Sequence, residues 1–286
     1  MKYYIIAGEA SGDLHGSNLM KELYKKDPNA DIRFWGGDLM TAAGGTLVKH
    51  YRELAFMGFI EVIFNLKTIL GNIKICKKDI LNFQPDVLIF IDYPGFNMRI
   101  AKWAKVLGMK THYYISPQIW AWKESRITDI KRDVDKMYVI LPFEKKFYEE
   151  KHNFPVEFVG HPLIDAIHNN PKIDSALFRK ENQLNDKPII AILPGSRKQE
   201  ITKMLSVMLS VVHDFPDYQF VIAGAPSQDF SFYKDFITQD NIKFISNKTY
   251  DLLSNATAAL VTSGTATLET ALFKVPEVVC YKGSWA

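Results

Sequence analysis

Two acidic side chains lie at the ends of apolar runs in the first half of the sequence. Asp92 directly follows the run 87–91 and precedes Pro94, and Glu9 follows the run 3–7 after one glycine. A carboxylate that ends a buried strand, near a rigid proline, is well placed to take a proton from a substrate hydroxyl. The alternative is that Asp92 only forms a turn, as aspartates often do in loops. We therefore single out Asp92 as the candidate general base.

The glycines of the segment 8–16 are spaced by four residues. This spacing matches neither G-x-G-x-x-G nor the G-x-x-x-x-G-K-[ST] phosphate loop, so neither a nicotinamide site nor an ATP site is predicted. Glycines let a sugar approach the backbone, and a glutamate can accept hydrogen bonds from its hydroxyls. The candidate substrate-binding residues are therefore Glu9, Ser11 and Gly12. In the alternative, Ser11 or Asp13 simply caps the helix that follows.

The second half of the chain contains two further loops with residues suited to a nucleotide. Arg197 lies between a predicted strand and a predicted helix, where backbone N–H groups and a guanidinium can together bind a diphosphate. In the segment 263–269, Gly264 and Thr265 permit close backbone approach, and Glu269 can accept hydrogen bonds from both hydroxyls of a ribose. The alternatives are an exposed capping turn at Arg197 and a solvated helix glutamate at Glu269.

Aromatic and aliphatic side chains form two candidate surfaces for an acyl chain or a membrane. Trp120 and Trp122 follow a predicted strand and could stack on a sugar or an acyl chain, unless they belong to the core or to a domain interface. The segment 59–70 has an apolar stripe beside lysines, which is typical of a helix that rests on an anionic membrane. A stripe that faces the core is the alternative. The side chains expected to contact lipid are Phe59, Ile60, Ile63 and Phe64.

Short β-rich runs alternate with longer helical patterns along the chain. That alternation predicts an α/β fold class in which parallel sheets have helices on both faces. The predicted strands are 3–7, 32–35, 87–91, 110–114, 136–140, 189–193, 219–223, 242–245, 258–262 and 278–281. The predicted helices are 13–26, 59–82, 97–107, 199–213, 228–238 and 265–273. Ligands of such folds bind beyond the C-terminal ends of the strands, where the loops described above lie.

Turn-forming residues divide the chain into two doubly wound domains. Turn signals occupy 160–162 and 169–171, and Asp174 or Ser175 is a predicted helix cap before a second α/β pattern begins. We therefore predict one domain over residues 1–166 and a second over residues 167–286, in line with the usual size of a domain.

The overall composition is that of a folded protein without a strong net charge. Hydrophobic residues make up 47% of the 286 residues, and Lys and Arg exceed Asp and Glu by only 35 to 32, so no nucleic acid partner is predicted. Cys76 and Cys280 lack the Cys/His spacing of a metal site, which indicates a reducing compartment without structural zinc. The first apolar run is too short for a signal peptide, and no apolar run reaches the roughly 18 residues that could span a bilayer. We expect a cytoplasmic protein.

Taken in order, these segments resemble those of the lipid-A-disaccharide synthase family along nearly the whole chain. The segments that carry the resemblance are 8–13, 53–58, 92–97, 116–122, 160–162, 194–197 and 263–269, which read GEASGD, ELAFMG, DYPGFN, SPQIWAW, GHP, PGSR and SGTATLE. The resemblance implies two facing Rossmann-like domains of the GT-B type, each a doubly wound parallel sheet. Relatives continue well past the strand 278–281, so we expect the second domain to be incomplete and the activity and stability of the chain to be affected.

The resemblance implies an inverting glycosyltransferase of lipid A biosynthesis. UDP-2,3-diacylglucosamine would donate its sugar to the 6-hydroxyl of 2,3-diacylglucosamine 1-phosphate, giving lipid A disaccharide 1-phosphate and UDP. Asp92 would be the general base, Arg197 would bind the diphosphate, and Glu269 would bind the nucleotide. Glu9 would line the sugar crevice. The partners would be these two lipids and the inner face of the cytoplasmic membrane, with a homodimer as the alternative to a monomer.

The resemblance implies no cofactor. No D-x-D motif offers the carboxylate pair that a metal-using transferase would need, so we expect no obligatory Mg²⁺. Two rival functions stay open on the sequence alone. One is another UDP-sugar enzyme of the same architecture, either an epimerase or a peptidoglycan glycosyltransferase. The other is an inactive fragment that binds nucleotide sugars.

Overall fold

The computed structural model describes residues 1–54, 66–168, 173–196, 198–225, 228–262 and 264–281. The chain divides into two compact units, Met1–Pro162 and Leu163–Ala286. Each unit contains one parallel β-sheet with helices packed against it, which confirms the predicted α/β class with two doubly wound sheets. The boundary predicted after residue 166 lies within the helix Pro162–His168.

The first unit has a seven-stranded sheet in the order β3-β2-β1-β4-β5-β6-β7, with every neighbouring pair parallel. Its strands are β1 (Lys2–Ala7), β2 (Asp31–Gly36), β3 (Thr46–His50), β4 (Val87–Ile91), β5 (Thr111–Tyr114), β6 (Lys136–Val139) and β7 (Glu157–Phe158). Its helices are α1 (Ala10–Lys26), α2 (Asp38–Ala43), α3 (Leu66–Phe83), α4 (Pro94–Val106), α5 (Ile127–Asp133) and α6 (Pro142–Lys146). The helix α7 (Pro162–His168) follows at the boundary.

The second unit has a five-stranded parallel sheet in the order β10-β9-β8-β11-β12. Its strands are β8 (Ile189–Leu193), β9 (Gln219–Gly224), β10 (Ile242–Ser246), β11 (Ala258–Thr262) and β12 (Glu277–Cys280). Its helices are α8 (Ser175–Glu181), α9 (Lys198–Leu209), α10 (Phe230–Tyr233), α11 (Thr249–Asn255) and α12 (Thr265–Leu272). The predicted helix 228–238 is thus only α10 and one 3₁₀ turn, Lys234–Phe236.

Local sequence signals explain why these elements begin and end where they do. The five residues of β4 are all apolar and all buried, as expected for a central parallel strand covered on both faces. Pro94 begins α4, where its missing N–H costs nothing. The helix ends at Val106, and two residues later Gly108, with a φ of 73°, lets the Met109 N–H reach the Ala104 carbonyl at 3.1 Å. Asp174 caps α8 by accepting from two backbone N–H groups at 3.0 Å, as predicted.

The sheet of the first unit is covered on both faces. One apolar cluster contains Tyr4 and Ile6 of β1 together with Cys76 of α3 and Ile100 of α4. The opposite cluster contains the alternate residues of β1 and side chains of α1 and α2, including Met20 and Met40. Because alternate residues of a strand point to opposite faces, β1 contributes to both clusters and is fixed at the centre of the unit.

The elements missing from the sequence prediction are short or lie at a sheet edge. The strand β3 is at the edge and only half buried, and β7 has two exposed residues. Neither shows the continuous apolar run of a central strand. The helices α2, α5, α6 and α11 have seven residues or fewer, too few for a clear helical period.

Candidate functional site

The first candidate site is a pocket at the C-terminal edge of the first sheet, between β1 and β4. The strand order reverses between these neighbours, and ligands of doubly wound folds bind at such a switch point. The pocket brings together Glu9, Ser11, Gly12 and Asp92, which the sequence singled out separately. Its lining consists of Gly8, Glu9, Ser11, Gly12, Ile91, Asp92 and Tyr93.

Close packing around the pocket requires glycine at position 8. A Cβ on Gly8 would lie only 2.3 Å from the ring of Tyr93, too close for any side chain there unless the ring moved. The Tyr93 ring is stacked on Phe96, with 5.7 Å between ring centroids. A Cβ on Gly12 would also lie close to its neighbour, 3.1 Å from the Cβ of Ala7. Gly8 therefore lets Tyr93 cover one side of the pocket, and Gly12 lets the start of α1 pack closely on β1.

The backbone at Asp92 has a conformation that non-glycine residues rarely adopt. Asp92 and Tyr93 have φ angles of 43° and 50°, both in the left-handed region, where strain of about 1–3 kcal/mol per residue is typical. Hydrogen bonds hold this turn: the Tyr113 hydroxyl and the Asn97 amide donate to the Asp92 carbonyl at 2.6 and 2.7 Å. The fully buried Asn97 amide also reaches the Ile91 carbonyl at 3.3 Å. The fold thus maintains the strained turn that presents the Asp92 carboxylate to the pocket.

The electrostatic surroundings of Asp92 suit a general base. Burial and, to a lesser degree, the negative charge of Glu9 together raise the pKa of Asp92 to about 6, although a hydrogen bond from the Tyr93 backbone N–H acts in the opposite direction. A base with this pKa is mostly ionised at neutral pH, yet it binds a proton much more readily than an ordinary aspartate. The pair Glu9 and Asp92 therefore provides one carboxylate tuned for proton transfer beside a second one able to bind hydroxyls.

Asp13 does not cap its own helix. The helix α1 begins at Ala10, so Ser11 and Asp13 lie inside it, and the expectation that either caps α1 is wrong. The buried Asp13 carboxylate instead accepts hydrogen bonds from the backbone of Gly37 at 2.7 Å and of Leu39 and Met40 at 3.0 Å. It caps the start of α2, a contact between distant segments that local capping rules do not predict.

The loop after β5 is fixed by the buried Glu144. One oxygen of this carboxylate accepts from the Ser116 hydroxyl at 2.7 Å and from the Trp120 indole at 3.2 Å. The other accepts from the backbone of Ile140 and Leu141 at 3.0 and 2.8 Å. Because one carboxylate binds both the 116–122 loop and the start of α6, the position of Trp120 depends on Glu144.

The two tryptophans of this loop remain at the surface. Trp120 is 36% exposed and Trp122 is 60% exposed. The Trp120 ring contacts Phe143 edge to face, with 4.8 Å between centroids, and the Arg126 guanidinium lies 4.9 Å from the Trp122 centroid. The alternative that these tryptophans belong to the core is therefore wrong, and a place at a domain interface stays a prediction. Stacking on a ligand stays a prediction.

The second candidate site is at the switch point of the second sheet, between β8 and β11. The loop after β8 contains Gly195, whose φ of 103° favours glycine. The Ser196 backbone N–H donates to Glu200 of α9 at 3.2 Å, so the loop is tied to the helix that follows it. Arg197 lies outside the described residues, and its role as a diphosphate ligand stays a prediction.

The loop after β11 places the remaining nucleotide candidates at the same edge. Gly264 has a φ of 131°, and among the described residues outside its chain neighbours no atom lies within 4 Å of where its Cβ would be, which leaves room for a ligand near the backbone. Thr265 begins α12 and is exposed. Glu269 is half-buried and accepts a hydrogen bond from the Tyr250 hydroxyl at 3.1 Å, so it is not simply a solvated helix glutamate.

Comparison with known proteins decides the family. A family model described as lipid-A-disaccharide synthetase matches residues 3–284. The lipid-A-disaccharide synthase of Coxiella burnetii (strain Dugway 5J108-111) is 41% identical over 283 residues, which cover 97% of this chain and 74% of the relative. This chain belongs to the lipid-A-disaccharide synthase family. The synthase of Syntrophus aciditrophicus is 42% identical over 289 residues, which cover 98% of this chain and 74% of that protein.

A solved structure supports the fold predicted for the lipid-A-disaccharide synthase family. The UDP-GlcNAc 2-epimerase from Neisseria meningitidis, bound to UDP-GlcNAc, has a TM-score of 0.67 and covers 98% of this chain and 82% of its own. Only 14% of residues are identical, so the likeness concerns the fold alone. Together with the two parallel sheets described above, it confirms a fold of the GT-B type.

Two aspartates of this family member have the sequence spacing of a metal-binding motif but other partners in the structure. The triplet Asp133-Val134-Asp135 has the D-x-D spacing. It precedes β6, at the edge of the sheet opposite the pocket, where Asp133 pairs with Arg132 at 2.6 Å and Asp135 pairs with Lys105. These pairings explain the triplet without a metal. Among the described residues, no group of three or more His, Cys, Asp or Glu is placed to hold a metal ion.

The side chains expected to contact lipid, Phe59, Ile60, Ile63 and Phe64, lie outside the described residues. The described part of the same amphipathic region is α3, which packs on the sheet through Cys76 and Ile80. Its outer face exposes Leu70, Lys74, Lys78 and Leu81. No helix within the described ranges is both long enough and apolar enough to cross a membrane.

Three residues that the sequence analysis did not single out support the candidate sites. Tyr113 holds the Asp92 carbonyl, Glu144 holds the 116–122 loop, and Tyr250 holds Glu269. Strand order offered a signal for Tyr113, because β5 is the neighbour of β4. The contacts of Glu144 and Tyr250 join elements that are distant in sequence, and no local motif marks them.

Proposed function

We propose that this chain transfers the sugar of UDP-2,3-diacylglucosamine to 2,3-diacylglucosamine 1-phosphate, forming lipid A disaccharide 1-phosphate and UDP. Membership of the lipid-A-disaccharide synthase family supports the substrate class. The observation that carries the mechanism is the Asp92 carboxylate, with its raised pKa, in a pocket at the switch point between β1 and β4. A base at this position suits the activation of an acceptor hydroxyl.

The proposed chemistry is a single displacement with inversion. Asp92 takes the proton of the acceptor 6-hydroxyl as that oxygen forms a bond to the anomeric carbon, while the bond from this carbon to the UDP oxygen breaks. Glu9, Ser11 and Gly12 bind the sugar at the pocket. The negative charge that develops on the leaving diphosphate is stabilised by Arg197 and by helix N-termini. No cofactor or metal ion is part of this mechanism.

The alternative function is a reaction on soluble UDP-GlcNAc. The structural likeness to an epimerase bound to UDP-GlcNAc favours this alternative. Because only 14% of residues are identical, however, the likeness concerns the fold alone. The decisive assay supplies the purified chain with either the diacylated donor and acceptor or soluble UDP-GlcNAc, and measures UDP release and disaccharide formation. We expect disaccharide only with the diacylated pair. Epimerised UDP-GlcNAc, or no turnover with either donor, would contradict the proposal.

The proposed reaction takes place at the inner face of the cytoplasmic membrane, to which the chain binds peripherally through the predicted 59–70 stripe and α3. Support comes from the outer face of α3, where exposed Lys74 and Lys78 lie between exposed Leu70 and Leu81. These positions share one helical face because they are separated by three or four residues. Lysines beside aliphatic side chains are the pattern of a helix that binds an anionic surface.

Reversing both charges of this face should weaken binding to anionic vesicles. A basic residue near such a surface contributes about 1 kcal/mol, so Lys74→Glu with Lys78→Glu is expected to lower the partition coefficient by roughly 30-fold or more. UDP affinity should not change. The matched control is Lys21→Glu with Lys26→Glu on α1, which covers the opposite face of the sheet and makes the same change in net charge. Equal losses in both variants, in a co-sedimentation assay, would contradict a specific role for α3.

A further inference from the structure

The Glu269 carboxylate has a fixed partner on another helix. The Tyr250 hydroxyl donates to Glu269 Oε1 at 3.1 Å. Tyr250 belongs to α11, which follows β10, whereas Glu269 belongs to α12, which follows β11. In the sheet order, β10 and β11 are separated by β9 and β8, so the hydrogen bond joins helices from the two sides of the switch point between β8 and β11.

The ring of Tyr250 also has a packing partner. It packs against Phe273, just after α12, with 5.4 Å between ring centroids. Because the Tyr250 ring is packed and its hydroxyl is hydrogen-bonded, rotation of the Glu269 carboxylate would break the hydrogen bond. The bond engages Oε1, and a carboxylate has a second oxygen that can accept from the hydroxyls of a ligand.

The ionisation states of the two residues also favour a hydrogen bond from the Tyr250 hydroxyl to the Glu269 carboxylate. Burial raises the pKa of Glu269, and the hydrogen bond from Tyr250 lowers it. Burial and the neighbouring Glu269 charge raise the pKa of Tyr250, so the phenol keeps its proton and remains a donor at neutral pH. Tyr250 therefore favours the ionised form of a carboxylate that burial would otherwise neutralise.

We infer that Tyr250 is a positioning residue for nucleotide binding, whose hydroxyl orients the Glu269 carboxylate toward the ribose hydroxyls of a uridine diphosphate group. This inference rests on the proposed function, which assigns Glu269 to the nucleotide. It adds a residue outside the strand-end loops to the nucleotide site. It also makes the geometry of that site depend on the packing between α11 and α12.

The test is a double-mutant cycle in the full chain, with UDP binding measured by calorimetry. Tyr250→Phe keeps the ring and removes the hydroxyl, and it is expected to weaken UDP binding by roughly fivefold to twentyfold, the range for coupled neighbours. In a Glu269→Ala background the same change should have no further effect, because the partner is gone. The matched control is Tyr218→Phe, before β9 at the opposite edge of the sheet, with unchanged affinity.

The pH dependence of binding distinguishes positioning from a structural role. Without the Tyr250 hydroxyl, Glu269 holds its proton to higher pH, so the ratio of variant to wild-type dissociation constants should grow as pH falls. Ionisation of the UDP phosphates is common to both proteins and cancels in this ratio.

Unchanged affinity in Tyr250→Phe, or equal losses with and without Glu269, would overturn the inference while leaving the proposed function intact. A wild-type chain that binds the diacylated donor without binding UDP would overturn both. If Tyr250→Phe does not fold, Phe273→Leu serves as the second variant, since it loosens the Tyr250 ring and should give the same growth of the ratio at low pH. A ratio independent of pH in that variant would also overturn the inference.

Discussion

Replacing Asp92 with Asn is expected to lower the turnover number by ~100-fold or more, the scale that general-base catalysis commonly supplies. The amide cannot take a proton from the acceptor hydroxyl, but it has the same shape and fits the same left-handed turn, which asparagine tolerates. The fold and the affinity for UDP should therefore be preserved. Turnover is measured with saturating diacylated donor and acceptor, and UDP affinity is measured separately.

The pH profile provides an independent check on the role of Asp92. Because the base acts in its ionised form, kcat/KM should fall as pH falls through about 6, the value to which burial and Glu9 raise the pKa of Asp92. Glu9→Gln removes a charge that raises this pKa, so the acid limb should move to lower pH even if the rate also falls. In Asp92→Asn the limb should disappear.

Asp129→Asn is the matched control for Asp92→Asn. Asp129 is exposed and pairs with Arg132 at 2.8 Å, an interaction of the surface type that contributes little. Its substitution makes the same chemical change in the same unit and should leave turnover within about twofold. Near-normal turnover in Asp92→Asn would remove this carboxylate from the chemistry, and comparable losses in both variants would indicate a general effect on the unit.

Replacing Asp13 with Ala is expected to produce the largest loss of stability in the first unit. The carboxylate accepts from three backbone N–H groups at the start of α2. A buried donor that loses its partner costs about 1–3 kcal/mol, so the free energy of unfolding should fall by roughly 3 kcal/mol or more. Activity should fall with it, because α1 carries Ser11 and Gly12 of the pocket.

Urea unfolding followed by tryptophan fluorescence measures this effect, since four of the five tryptophans, Trp35, Trp103, Trp120 and Trp122, belong to the first unit. The control is Asp38→Ala on α2, whose side chain is 68% exposed and pairs with His50 at 3.4 Å and with Arg52 at 3.1 Å. The control should cost less than about 1 kcal/mol. Equal losses in the two variants would mean that Asp13 does not anchor α2.

The parts of the fold that the sequence predicted are those with strong local patterns. Central strands such as β4 and β8 are continuous apolar runs, because both faces of a doubly wound sheet are buried. The edge strand β3 lacks this pattern because part of it faces solvent. Glu9 and Asp92 could be predicted because both follow central strands, and parallel strands bring such residues to one edge.

Long-range contacts could not be predicted in the same way. The sequence around Asp13 resembles a helix cap, yet its partners are Gly37, Leu39 and Met40, which only the fold brings near. The same limit applies to Tyr250 and Glu269, whose helices meet across the switch point of the second sheet. A hydrogen bond between distant elements leaves no periodic trace in the sequence, and the chemistry of either residue alone does not reveal it.

The left-handed turn at Asp92 sets stability against catalysis at a single position. Glycine adopts a φ near 43° without steric cost, so Asp92→Gly should relieve part of the strain there and remove the candidate base at the same time. Laboratory evolution that selects only for heat resistance would be free to accept glycine at position 92 and to lose transfer activity without any sign of misfolding. Selection for thermostable variants of this chain therefore needs turnover as a second criterion.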